Sequence, residues 1–164
     1  MGTREMFLVL GATVLFGVIS FSATSTMLMN KEAVFENENR LTALSIAQQY
    51  IEEAKARPYF DAVLAAGVPA NLPGGFTAPA GLGHSVSESY PYFNDIDDYD
   101  GLTQTVKTSK NEYRVEIVVN YAVDENPIRV VNYQTFYKVM KVNVFFNAGA
   151  REDSVQTSMV FGYY

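Results

Sequence analysis

Side chains equipped for chemistry fall in three places in this 164-residue sequence. Glu5 heads an apolar run. Asp95, Asp97, Asp98 and Asp100 crowd together. Gly83-His84-Ser85-Val86-Ser87 has the outline of a nucleophile elbow. A carboxylate within or beside an apolar helix is costly and needs a positive partner. Glu5 therefore implies either a cation brought to it or an interfacial position solvated beside Arg4. The four aspartates could offer the hard oxygens that Ca²⁺ prefers. Their spacing departs from an EF-hand, because Ile96 or Tyr99 falls where a ligand is required. The alternative is a solvated turn with Asx-type local bonds. The serine stretch lacks the final glycine of an elbow, follows a Pro/Gly loop, and has no second histidine to act as base.

The composition excludes most other chemistry. There is no cysteine, so disulfides, thiol catalysis, zinc–thiolate sites and iron–sulfur clusters are out. His84 is the single histidine, which rules out a multi-histidine metal site within one chain. Twelve basic against 18 acidic residues give a net charge of −6, so no broad basic surface for nucleic acid is expected. The expectation is a non-enzyme without cofactor, with Ca²⁺ at the acidic cluster the one metal left open.

The elements that carry these residues are distinct in pattern. From Met6 to Asn30 there is no charge. As a helix this run would rise ~37 Å, enough for a ~30 Å hydrocarbon layer. Its first half is strongly apolar. Its second half is rich in small hydroxyl residues, and pairs four apart (Thr13 and Gly17, Ser20 and Thr24, Ser22 and Thr26) would let helices approach closely. A signal peptide, a plain membrane anchor and an anchor that also assembles are the three readings. A signal peptide would have a very short charged leader and a poor cleavage site around Ala23.

No Gly or Pro follows between Val18 and Arg57. Leu41, Leu44, Ala47, Ile51 and Ala54 recur at steps of three and four, an amphipathic stripe. Arg57-Pro58 stops the helix. A helix from about Thr3 to Arg57 would be ~80 Å long, against a radius of gyration of ~13 Å for a globule built from the rest. Its apolar half, residues 1–30, is expected to project from a head of residues 31–164.

Residues 58–110 hold most of the prolines and many glycines. They read as a variable loop region, with a short helix at Asp61–Ala66 and loop over Asn71–Gly83. From Glu112 the period is two. Tyr113, Val115, Ile117, Val119 and Tyr121 alternate with polar positions. A second strand runs near Phe136–Phe146, with Met140, Val142, Val144 and Phe146 on one face. A third runs from Ser154 to Phe161, after a loop at Asn147–Asp153. The result is an α+β fold: a long N-terminal helix and an antiparallel sheet over 112–162, one face covered by Leu41, Leu44 and Ile51. Tyr163 and Tyr164 are left over, as candidates for a subunit contact.

An apolar half-helix, an amphipathic second half, a variable loop and a C-terminal antiparallel sheet resemble the type IV pilin and pseudopilin superfamily. Glu5 stands where that family carries a glutamate, and Met1 is an acceptable mature first residue. Phe93-Asn94-Asp95-Ile96-Asp97-Asp98-Tyr99-Asp100-Gly101-Leu102 is similar to a segment of pilins of the mannose-sensitive-haemagglutinin type. Ala47-Gln48-Gln49-Tyr50-Ile51-Glu52-Glu53-Ala54 is similar to the helix of secretion pseudopilins. Gly2, Thr3 and Arg4 stand where the family is usually apolar. Met1 could instead be an initiator methionine, with Arg4 held on the cytoplasmic side.

The resemblance implies a structural subunit of an extracellular filament at the cell surface. Its partners would be identical subunits, the inner membrane before assembly, and pilus or secretion machinery. Met1, Arg4, Glu5, Phe7, Leu10, Val14 and Gly17 would serve assembly, with the Glu5 carboxylate meeting the N-terminal amine of a neighbouring subunit. A minor pilin, a secretion pseudopilin and a singly anchored extracytoplasmic binding domain are the alternatives.

Overall fold

The computed structural model describes residues 2–59, 75–148 and 151–163. Helix α1 spans Thr3–Lys55 without a break. Five strands follow: β1 (Thr103–Lys107), β2 (Glu112–Val123), β3 (Arg129–Val130), β4 (Tyr137–Ala148) and β5 (Arg151–Gly162). The architecture is α+β, as the change of period from 3.6 to 2 predicts. The chain divides into two compact units, Met1–Glu38 and Asn39–Tyr164. The division falls inside α1.

In the second unit the sheet is antiparallel throughout, in the order β1-β2-β4-β5. Tyr113 pairs with Phe146 and Ala122 with Tyr137. That register puts Tyr113, Val115, Ile117, Val119 and Tyr121 beside Met140, Val142, Val144 and Phe146, all buried. These are the faces the alternation predicts. β4 and β5 run longer than expected, so the Asn147–Asp153 loop is mostly strand, with Asn147 opposite Glu152 and Ala148 opposite Arg151. β1 and β3 were not predicted. Both pair with β2 along the edge that β4 leaves free. Between them, the Asp100 carboxylate accepts the Val119 N–H at 2.8 Å. A side chain thus stands in for a strand where backbone pairing lapses.

The second half of α1 joins the same core through Asn39, Ala43, Ile46, Ala47, Tyr50, Ile51 and Ala54. Leu41 is a correction: it is 68% exposed, and Leu44 is half-buried. Ala47, Ile51 and Ala54 of the expected stripe do face inward, joined by Ala43, Ile46 and Tyr50 in place of Leu41. Polar bonds fix its register. The Tyr113 hydroxyl donates to Asn39 Oδ1 at 3.0 Å, and the Tyr99 hydroxyl donates to Glu53 Oε1 at 2.9 Å. Tyr163 is a further correction. Its ring lies 5.2 Å from Phe76 and 5.6 Å from Tyr59, and its N–H donates to the Phe136 carbonyl, so it packs internally. Met1, Tyr164 and the Asp61–Ala66 helix lie outside the described residues. Of Asn71–Gly83, the described part holds one 3-10 turn at Pro79–Gly81.

Candidate functional site

Two places collect the chemistry-bearing residues: the first unit's helix and an acidic cluster in the second. In the first unit, Phe7, Leu10 and Val14 are 71, 58 and 59% exposed, and so is every other large apolar side chain from Met6 to Met29. This is the one helix among the described residues long and apolar enough to cross a membrane, and none of its apolar window is buried. Such a surface is not stable in water and calls for lipid or protein cover.

Its polar groups are prepared for that cover. Thr13 donates to the Leu10 carbonyl at 2.9 Å, Thr24 to Ser20 at 2.9 Å and Thr26 to Ser22 at 3.0 Å. Each hydroxyl is satisfied by its own helix, so burial leaves none of these three orphaned. Nothing lies within 4 Å of the Cβ positions that Gly11 and Gly17 lack. At the start of α1, the Gly2 N–H donates to Glu5 Oε2 at 3.2 Å. Glu5 therefore caps its own helix start, where a negative charge is favoured. Arg4 and Gly17 are exposed here with Phe7, Leu10 and Val14.

The acidic cluster is not a solvated turn. Asp95, Asp97 and Asp98 are buried. Asp95 Oδ1 accepts the N–H groups of Asp97 (2.6 Å) and Asp98 (3.2 Å), and Asp98 Oδ2 accepts those of Asn94 and Asp95. These reciprocal bonds wind the 3-10 turn Asp97–Tyr99. Asp97 faces Lys138 on β4, and Asp100 turns away to β2. The four carboxylates thus serve separate partners. Among the described residues no group of three or more His, Cys, Asp or Glu side chains is placed to hold a metal ion.

Lys138 is the functional-looking residue the sequence reading passed over. It shares the inward parity of Met140 and Val142, and that parity was the signal available. Its Nζ donates to Asp97 Oδ1 at 2.5 Å and to the Tyr59 carbonyl at 2.8 Å. It lies 4.0 Å from the centre of the Tyr59 ring and 5.1 Å from that of Tyr121. Burial pushes the Lys138 ammonium down in pKa, and Asp97 opposes that shift. Asp95 is pushed up to about 7, first by burial and then by the charges of Asp97 and Asp98.

The raised Asp95 carries a pH signature. The folded state keeps a proton that the unfolded chain, with an ordinary value of ~3.9, has already released. Stability is then greatest below about pH 4 for this group and falls as pH rises to about 7, by on the order of 4 kcal/mol. Asp95→Asn keeps the acceptor for Asp97 and Asp98 and should flatten that slope in urea unfolding of the detergent-solubilised chain. An unchanged slope would assign the pH dependence elsewhere.

A cleft of about 380 Å³ opens on the cluster, with His84, Ser85 and Glu88 on its wall. The Ser85 hydroxyl donates to Glu88 Oε2 at 2.6 Å, and the His84 ring stacks on Phe93. The elbow-like sequence is therefore a turn closed by Glu88. Comparison with protein-family models, curated proteins and solved structures finds no match to this chain.

Proposed function

We propose that this chain is a structural subunit of a type IV pilus-like filament at the cell surface, polymerising through the apolar half of α1. The observation that carries the reading is the apolar surface from Met6 to Met29, exposed on all sides with its threonine hydroxyls satisfied internally. Each large apolar side chain buried there supplies ~1.5–3 kcal/mol. In the filament, helices from many copies bury this surface against one another at the Thr13–Gly17 and Ser20–Thr24 steps. Before assembly the same segment rests in the inner membrane. Glu5 sets the axial stagger by meeting the amine of a neighbouring chain, leaving Gly2 for a charged partner. The second unit, with its own core, forms the outer wall.

The test is electron microscopy of sheared surface material from cells producing the chain, with mass spectrometry of the same fraction. The expected result is thin filaments with this chain as the dominant protein, and their loss in Glu5→Ala. Filaments that contain it only in trace amounts would make it a minor subunit. A chain that stays in the membrane as a monomer would overturn the reading.

A further inference from the structure

Lys138 and Asp97 are held in contact by two independent parts of the fold. Lys138 sits within β4, paired to Tyr121 on one side and Phe161 on the other. Asp97 is fixed by the bond from its N–H to Asp95 and by its carbonyl, which accepts the Gly83 N–H at 3.0 Å. The two side chains are 0 and 4% exposed. Nζ is 2.5 Å from Oδ1. One C–O bond adds ~1.2 Å, which puts the Asp97 carboxyl carbon within roughly 3.7 Å of Nζ, near the distance at which reacting atoms are productively held. The Tyr59 carbonyl fixes the direction of a second N–H. Asp97 Oδ2 is buried and has no hydrogen-bond partner among the described residues.

We propose that Nζ of Lys138 and Cγ of Asp97 are joined in the folded protein by an amide bond, an intramolecular cross-link made with loss of one water. Proton transfer within the buried pair gives a neutral amine and a neutral carboxylic acid. The amine lone pair attacks Cγ. Asp95, whose carboxylate lies beside Asp97 and accepts its N–H at 2.6 Å, takes a proton from Nζ and returns it to the hydroxyl that leaves as water. One N–H and one C–O bond break, and one C–N and one O–H bond form, so nothing is oxidised or reduced. Burial favours each requirement: it disfavours the ammonium, keeps Asp95 able to carry a proton near neutral pH, and excludes the water that would solvate the charged pair. The bond ties the 3-10 turn Asp97–Tyr99 to β4 across 41 positions of sequence.

The experiment is intact-mass spectrometry of the full chain, denatured, followed by tryptic mapping. The expected mass is about 18 Da below that of the sequence, the water lost when a nucleophile displaces a carboxyl hydroxyl. Trypsin should leave Lys138 uncut and yield one branched peptide joined at Asp97 and Lys138. Lys138→Arg, which keeps the charge, should restore the full sequence mass, and Asp95→Asn should leave most of the chain unlinked. A full-mass wild-type chain cut after Lys138, or a deficit that maps to another residue, overturns the proposal. The wild-type measurement decides even if a variant fails to fold.

Discussion

Lys138→Met is expected to destabilise the second unit by ~3–5 kcal/mol, because it strands the buried Asp97 carboxylate without its cation. Asp97 keeps almost no exposure through which water could replace the lost partner. The Tyr59 carbonyl and the rings of Tyr59 and Tyr121 would also lose the Lys138 nitrogen they face. Adding Asp97→Leu to Lys138→Met should recover much of the loss, since it removes the buried carboxylate that the single substitution leaves uncompensated. The readout is urea unfolding of both variants beside the wild type. A double variant no more stable than Lys138→Met would show that a stranded carboxylate is not what weakens the single variant.

This corner also shows where sequence reading stops. The strand faces of β2 and β4 are legible because one side is buried and the other solvated, so apolar residues fall on alternate positions. The end of α1 is legible at Arg57-Pro58, because proline penalises the helical conformation before it. β1 is not legible: Thr103–Lys107 is half-exposed, and Val106 is its lone large apolar residue. The helix stripe holds at Ala47, Ile51 and Ala54 and fails at Leu41, because hydropathy prefers leucine while the buried face takes Ala43. A run of aspartates reads as solvated on composition alone. Its burial depends on Lys138, which is remote in sequence, and on backbone N–H groups that only the folded turn aims at the carboxylates. The exposed apolar helix was legible from the charge gap, but what covers it is a property of other molecules.

Two substitutions in that helix separate an assembling segment from a plain anchor. Val14→Asp removes ~1.5–3 kcal/mol of apolar burial and sets a charge in an apolar environment, at a further ~3 kcal/mol. Together these weaken each subunit addition by roughly 10³-fold or more, and filaments should disappear. Membrane residence would suffer as well, so this variant alone is ambiguous. Gly17→Leu resolves the ambiguity. Outside its own stretch of helix backbone, nothing among the described residues stands within 4 Å of the added Cβ, so the subunit should fold unchanged. The substitution makes the segment more apolar, which preserves the anchor. It also places a bulky side chain where small residues let helices approach. Filament yield should therefore fall sharply while the membrane-bound pool persists or grows. Normal filaments from Gly17→Leu would remove close packing at Thr13–Gly17 from the proposal, and normal filaments from Val14→Asp would remove the apolar helix as the polymerising element.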